Sequence, residues 1–235
     1  MNLYDSIFTR KSVRKFNQEP LDQATLQSID AAVANFAKLY DDVALEHRVT
    51  DKVKGMLSIK APQYLIISGT GADKEMEAAG FLYQQLSLWM TANDIGSVWL
   101  GVAKDARAEK ANDIITVAFG RATEPVTRSL AEFKRNPIAE ITNAPDDICI
   151  QAAHLAPSGM NGQPWYFEKT DEKVLVYRNK PTGPTAQFYK LGDLDMGIAL
   201  AHYAIAAEKE GLEFNFSRSD ELPSHGKLTA FGIIR

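Results

Sequence analysis

Residues 156–165 read APSGMNGQPW, and no other stretch of the chain is as informative. Proline fixes φ and restricts the residue before it, so this loop between a helix-like run and a strand-like run is predicted to be stiff. Its polar side chains are Ser158, Asn161 and Gln163. The two amides suit a heterocycle that presents carbonyls and an N–H, or equally a turn that satisfies its own backbone. Trp165 is predicted to anchor the loop in the core.

Around this loop the order of predicted elements repeats. Helices are predicted over residues 21–39, 75–94, 146–155 and 194–210, and strands over 64–68, 97–102, 114–119, 173–177, 212–217 and 227–234. Residues 41–54 are assigned to helix or loop, and residues 178–190 to a loop with Pro181, Gly183 and Pro184. Each long helix is expected to end before a glycine, Gly96 or Gly211.

Short fragments recur in the same order in the two parts of the chain. IDAA at 29–32 matches IQAA at 150–153, and AFG at 118–120 matches AFG at 230–232. We predict a single domain over residues 1–235, built by internal duplication from half-repeats of about 1–143 and 144–235. The alternative is an α/β chain whose elements recur because such folds repeat.

Composition narrows the class of protein. The 235 residues carry a net charge of -4, which argues against a general nucleic-acid binder. The N-terminus has no apolar signal-peptide core and no run is apolar enough for a membrane span, so a cytoplasmic location is expected. The one cysteine, Cys149, lies among apolar residues and is predicted to be a buried structural thiol. The four histidines show no metal-ligand spacing, so no metal site is expected.

Two further stretches are candidates for ligand binding. Residues 10–16 read RKSVRKF, whose four positive charges and one hydroxyl suit a phosphate group, or form a solvated basic face or nucleic-acid patch. Residues 96–101 read GSVWLG, where the glycines allow a flat ligand to approach the backbone, or serve only packing. The GTG at 69–71 is not a dinucleotide fingerprint, because Lys74 stands where the third glycine belongs.

Together these stretches resemble the FMN-dependent nitroreductase superfamily. RKSVRKF resembles its N-terminal phosphate-binding motif, APSGMNGQPW its A-P-S-x-x-N-x-Q-P-W loop, and GSVWLG the segment beside the flavin. Arg128 begins a stretch that resembles the basic element reaching the same phosphate. The loop follows the basic motif late in the chain, which is similar to a single-chain branch known as the putative TM nitroreductase family, in which one polypeptide imitates the usual dimer.

The resemblance implies an α+β nitroreductase-like fold, with a mostly antiparallel central sheet flanked by helices, two halves that imitate a dimer and the two long helices packed together. It also implies one FMN site between the halves, with no catalytic side chain. The first half would contribute Arg10, Lys11, Ser12, Arg14, Val98, Trp99, Leu100, Gly101 and Arg128. The second half would contribute Pro157, Ser158, Gly159, Asn161 and Gln163.

The implied activity is oxidoreduction. NADH or NADPH would give a hydride to flavin N5, and a small-molecule acceptor such as a nitroaromatic or quinone would take the electrons. Backbone N–H groups near Leu100 and Gly101 are candidates for contact with N5. No nucleic-acid or membrane partner is expected, and the chain is predicted to be a monomeric pseudo-dimer. The alternatives are a flavin-binding storage or sensor protein without turnover and, on residues 10–15, a nucleic-acid module.

Overall fold

The computed structural model describes residues 2–55, 59–179, 189–223, 225–226 and 228–235. The α-helices in these ranges are α1 (Leu3–Ile7), α2 (Gln23–Asn35), α3 (Glu75–Ala92), α4 (Ile148–His154) and α5 (Tyr189–Lys209). The strands of the first half are β1 (Glu46–Thr50), β2 (Val53–Lys54), β3 (Gln63–Ser68), β4 (Gly96–Leu100), β5 (Lys104–Asp105) and β6 (Asp113–Gly120). Those of the second half are β7 (Trp165–Lys169), β8 (Val174–Asn179), β9 (Phe216–Arg218) and β10 (Leu228–Ile234).

The strands form two antiparallel sheets of the same topology. The first has the order β1-β3-β6-β4 and the second the order β7-β8-β10-β9, so each strand of one sheet has a counterpart at the same place in the other sheet. Strands β2 and β5 form a separate ribbon. The α+β prediction of antiparallel strands flanked by helices is confirmed, and the strands are divided between two sheets. One hydrophobic core, which includes Leu65, Phe119, Phe167 and Phe231, joins the halves.

Helices α3 and α5 pack closely against each other, as predicted, through a reciprocal pair of glycines. A Cβ on Gly80 would lie 2.1 Å from the carbonyl oxygen of Leu194, and one on Gly197 would lie 1.9 Å from that of Glu77. Subtraction of residue numbers separates Gly80 from Gly197, and Glu77 from Leu194, by the same 117 positions. The contact is therefore isologous, like that of a two-fold dimer interface.

The basic segment 10–16 lies along the free edge of the first sheet. The Val13 N–H donates to the carbonyl oxygen of Ser97 in β4 (3.0 Å), and Arg10 forms a bridge with Thr127 on the other side. Val13 comes so close to β4 that a Cβ on Gly96 would lie 2.8 Å from its Cγ1. Gly96 therefore permits this approach and does not end the helix. The residue with left-handed backbone that follows α3 is Asp94, with φ 57°. The prediction of Gly96 as the helix-terminating glycine was wrong, whereas Gly211 does have a positive φ of 70° after α5.

Two other predictions differ from the structure because strand pairing depends on residues that are distant in the chain. Residues 46–50, assigned to helix or loop, form β1, because their backbone pairs with β3 while the Arg48 guanidinium bonds to the Asp113 carboxylate (2.7 Å). Residues 212–217 were assigned to a strand, but only Phe216–Arg218 pairs with β10. The loop predicted at residues 178–190 was wrong at both ends, because residues 178 and 179 belong to β8 and residues 189 and 190 to α5. Its remaining residues, 180–188, with Pro181, Gly183 and Pro184, lie outside the described residues, as does the first residue of the strand predicted at 227–234.

The turn at 69–71 is closed by the chain's own carboxylate. Glu75, at the start of α3, accepts hydrogen bonds from the Gly71 N–H (3.0 Å) and the Thr70 hydroxyl (2.8 Å). The backbone donors that a nucleotide phosphate would use there are thus occupied, in line with the rejection of a dinucleotide fingerprint. Within the described residues, no helix is long and apolar enough to cross a membrane.

Candidate functional site

Arg10 is a buried cation whose guanidinium has no carboxylate partner among the described residues. It is 2% exposed, and its Nη1 is buried without a hydrogen-bond partner. Burial, followed by the charges of Arg128, Arg135 and Arg14, lowers the pKa of Arg10 to about 9. A buried charge is costly unless something compensates it, so this environment is suited to an anion that arrives from outside the chain.

Arg128 lies beside Arg10. Its Nε–H donates to the carbonyl oxygen of Arg10 (3.0 Å), and its guanidinium lies 3.6 Å from the centre of the Phe133 ring. This bond and the stacking fix the orientation of the guanidinium while leaving its terminal nitrogens available. Burial lowers the pKa of Arg128, with Glu132 opposing.

Arg135 extends this cluster to the loop, and sequence reasoning missed it. Its Nη1 donates to Asn161 Oδ1 (3.0 Å) and its Nη2 to the carbonyl oxygen of Leu155 (2.8 Å), while its Nε is buried without a partner. Burial, then Arg128, lowers its pKa to about 10. Arg135 therefore brings the basic motif of the first half and the loop of the second half into one constellation. The only sequence signal was a basic pair, Lys134 and Arg135, in a segment assigned as a connector.

The loop amides are hydrogen-bonded mainly to residues 134–136. Asn161 Nδ2 donates to the Lys134 carbonyl oxygen (2.9 Å), and Gln163 Oε1 accepts from the Asn136 N–H (2.9 Å). The Gln163 N–H donates to Ser158 Oγ (2.9 Å), and the Gln163 side chain is buried. The amides therefore tie the loop to the segment 134–136 instead of satisfying only the loop's own backbone, and Gln163 braces the loop. Trp165 is 1% exposed and anchors it in the core, as predicted.

The loop backbone is strained at three residues that are not glycine. Met160, Asn161 and Gln163 have φ values of 51°, 57° and 45°, in the left-handed region. Each such residue costs about 1–2 kcal/mol, and the bonds to residues 134–136 hold the strain in place. Met160, whose side chain is 86% exposed, lies at the tip of the loop. Backbone strain of this kind is concentrated at ligand-binding sites.

Asp195 of α5 binds the backbone of the loop, and the sequence did not predict this role. Both of its carboxylate oxygens accept from the Gly159 N–H, at 2.9 and 3.1 Å. Burial, opposed by this bond, raises the pKa of Asp195 from its usual 3.8 to about 7. A buried carboxylate in a helix core gave no recognisable pattern in the sequence.

Asp195→Asn is expected to stabilise the protein increasingly as pH rises from about 4 to about 7. The folded state keeps a proton that the unfolded state loses in this range, so the wild type loses stability there, whereas the amide carries no charge. The measurement is Tm of both proteins against pH, with the exposed Asp42→Asn as the matched control. A Tm difference that does not change with pH would contradict the assignment.

Strand β4 presents its backbone rather than its side chains to the candidate site. The Val98 and Leu100 side chains are buried in a small cluster with Val13. Because Ser97 directs its carbonyl oxygen to Val13 at the free edge, the backbone groups of Trp99, two residues on, point the same way, and those of Leu100 point to β6. The candidate N–H groups at this edge are therefore those of Trp99 and the exposed Gly101 rather than that of Leu100.

The remaining predicted residues lie at the margin of this constellation. Lys11 pairs with Glu124 at 3.8 Å, and Arg14 is exposed and donates to the Ser12 carbonyl oxygen (3.3 Å). Pro157 is half-buried at the start of the loop. The structure thus brings Arg10, Arg128 and the loop together, with Lys11, Ser12 and Arg14 along the extended segment that leads away from them.

A surface cleft borders this constellation, and another lies away from it. One of about 340 Å³ lies between the halves and has Phe8, Phe133, Arg135, His154 and Leu155 in its lining. A larger one of about 560 Å³ lies beside β1 and contains none of the predicted site residues. In the described part of the chain, no group of three His, Cys, Asp or Glu side chains is arranged to hold a metal ion.

The fold is that of a nitroreductase-like protein. A family model described as "Putative TM nitroreductase" matches residues 2–207, and the chain therefore belongs to that family. Membership places it among nitroreductase-like oxidoreductases. A search of curated proteins gives no significant match.

Solved structures with a similar fold include a protein from Thermotoga maritima described as a putative nitroreductase. It is 21% identical, with a TM-score of 0.69 over 100% of this chain and 93% of that one. A nitroreductase from Desulfitobacterium hafniense, described with bound FMN, is 17% identical, with a TM-score of 0.43 over 58% of this chain and 100% of its own. A putative NADH oxidase from Clostridium acetobutylicum is 13% identical, with a TM-score of 0.44 over 58% and 97% of the two chains.

Proposed function

We propose that the protein is an FMN-dependent oxidoreductase with one flavin site between its two halves. The observation that carries the proposal is the buried Arg10, whose guanidinium has an unpartnered Nη1 and no neutralising carboxylate among the described residues. A phosphate monoester, with close to two negative charges at neutral pH, is the kind of group that compensates such a cluster. The membership in a nitroreductase family supports the same choice.

The residues that would hold FMN come from both halves of the chain. Arg10, Arg128 and Arg135 would bind the phosphate, and the extended segment would add the Ser12 hydroxyl. The edge of β4, with the N–H groups of Trp99 and Gly101, would form one wall beside the ring system. The loop from Pro157 to Asn161 would form the facing wall, held rigid by Gln163, Asp195 and residues 134–136.

Bound FMN would supply the redox chemistry, namely transfer of electrons from NADH or NADPH to an acceptor such as a nitroaromatic or quinone. The chain's own side chains bind and orient. None of the residues in the constellation is assigned as a general acid or base, and the carboxylate of Asp195 is occupied by Gly159. Because one chain supplies both halves, the site needs no second subunit.

At the position related to this site by the internal symmetry, the side chains are paired with one another. Beside β9, the counterpart of β4, the Tyr40 and Phe216 rings lie 6.3 Å apart and Arg218 is paired with the buried Glu77 at 2.7 Å. The first-half stretch before β1, residues 39–45, reads LYDDVAL and has none of the prolines or amides of the loop. We therefore infer one FMN per chain.

Turnover is tested by mixing FMN-loaded protein anaerobically with NADH or NADPH and following absorbance near 450 nm. Bleaching, followed by recovery when a quinone or nitroaromatic is added, is expected. Bound FMN that neither nucleotide bleaches would instead indicate a storage or sensor protein. Colourless protein that does not take up added FMN but binds DNA or RNA in a salt-sensitive way would indicate a nucleic-acid module.

A further inference from the structure

A continuous chain of hydrogen bonds links the two halves beside the candidate site. The Trp99 Nε1–H donates to Gln84 Oε1 (3.2 Å), and Gln84 Nε2 donates to His202 Nε2 (2.8 Å). His202 Nδ1–H then donates to the carbonyl oxygen of Ala152 (3.0 Å). Gln84 and His202 are each 0% exposed, so water does not compete for these bonds.

The two ends of the chain fix the direction of every bond in it. An indole N–H can only donate and a backbone carbonyl can only accept, so Gln84 must present Oε1 to Trp99 and Nε2 to His202. His202 must then accept at Nε2 and carry its proton on Nδ1. A doubly protonated imidazole would direct an N–H at the amide nitrogen of Gln84 and break the chain.

The surroundings keep His202 in this neutral form. Burial lowers its pKa to about 3 against the opposing bond to Ala152, and the positive charges of Arg10 and Arg135 lower it further. The imidazole therefore stays neutral throughout the range in which the protein is expected to work, and the chain of hydrogen bonds is permanent rather than a pH switch.

Each member of the chain belongs to a different element of the candidate site or its support. Trp99 lies in β4, whose free edge forms one wall, and Ala152 lies in α4, which leads directly into the loop that forms the other. Gln84 and His202 lie in α3 and α5, the helices that join the halves. Apolar side chains would fill the same space, but directional bonds also fix the relative orientation of the two walls.

We propose that Gln84 and His202 are positioning residues that hold the β4 edge and the loop at a fixed separation around the flavin site. This inference rests on the proposed function, since it assigns these hydrogen bonds a role in FMN binding. Neither residue touches the ligand in this assignment. Both act through the elements they join.

Gln85 provides a matched control for Gln84. It is the next residue of α3 and is also buried, but its Nε2 donates to the carbonyl oxygens of Ala37 and Phe81, away from the site. Gln84→Met and Gln85→Met therefore each remove one buried side-chain amide from α3. Both are expected to lower Tm, because each leaves buried polar groups without partners.

The two variants are expected to differ in FMN binding. Calorimetric titration should give a Kd roughly tenfold higher for Gln84→Met and His202→Leu, and a change of less than about twofold for Gln85→Met. His202→Asn, which can still donate to Ala152, should lie between His202→Leu and the wild type. The midpoint potential of bound FMN should shift in Gln84→Met and stay unchanged in Gln85→Met.

Equal FMN affinity and equal potential in Gln84→Met and Gln85→Met would overturn the positioning role while leaving the proposed function intact. A wild-type protein that binds no FMN would overturn the proposed function and this inference together. Since wild-type binding is measured first, the two failures are distinguishable.

Discussion

Arg10→Met is expected to weaken FMN binding by more than about a hundredfold. The guanidinium is fully buried beside Arg128 and Arg135, where it would make charge-assisted hydrogen bonds to the phosphate. Such bonds are worth roughly 1.5–3 kcal/mol each, and the loss of two corresponds to at least about 3 kcal/mol, which is two orders of magnitude in Kd. The measurement is calorimetric titration of FMN into each protein.

The same substitution is expected to stabilise the protein when no ligand is bound. Methionine retains most of the packing of the side chain and removes a buried, uncompensated charge, which should raise the free energy of unfolding by about 1–3 kcal/mol. Urea unfolding of the two proteins without FMN checks this. A substitution that weakens ligand binding but stabilises the ligand-free protein is characteristic of a residue retained for binding.

Arg107→Met is the matched control for this prediction. Arg107 is exposed, pairs with Asp51 at 2.8 Å and lies outside the cluster. Its replacement should leave FMN affinity within about twofold of the wild type, because exposed ion pairs contribute little. Unchanged FMN affinity in Arg10→Met would remove the phosphate assignment.

Gly197→Ala is expected to destabilise the fold by about 3 kcal/mol or more. The added methyl would lie 1.9 Å from the Glu77 carbonyl oxygen, so α3 and α5 must separate, and overpacking of this kind is costly. The effect should be large because these two helices are the main contact between the halves. Urea unfolding gives the free-energy difference directly.

Gly192→Ala, in the same helix, tests whether the effect arises from the helix contact. A Cβ there would lie 3.6 Å from Arg178 Cδ, which is an ordinary van der Waals distance. Alanine favours a helix over glycine by about 0.8–1 kcal/mol, so this variant should be neutral or slightly more stable. Comparable destabilisation by both substitutions would contradict the close reciprocal packing of α3 and α5.

The fold was largely predictable because its strongest signals are local. The long apolar run of α3 and the buried strand β3 are observed within two residues of the prediction. Strand β1 was not predictable, because the polar sequence EHRVT is a strand only through its pairing with β3. Gly96 was misread for a similar reason, since the contact that requires glycine comes from Val13, far away in sequence.

The candidate site was predictable in its motifs and not in the residues that join them. The basic segment and the loop each carry a recognisable pattern, and the structure brings Arg10, Arg128 and the loop together. Arg135, Asp195 and His202 carry no such pattern, because their importance comes from burial and from partners distant in the chain. Whether Asn161 and Gln163 also contact the flavin stays a prediction, since their amides already bond within the loop and to residues 134–136.

The most direct test of one flavin site between two halves is the binding stoichiometry. Protein stripped of flavin is titrated with FMN by calorimetry, and the flavin and protein contents of the complex are measured separately. We predict that the protein binds one FMN per chain and is monomeric in the complex. Two FMN per chain would contradict the assignment of a single site, and no binding at all would contradict the flavin assignment itself.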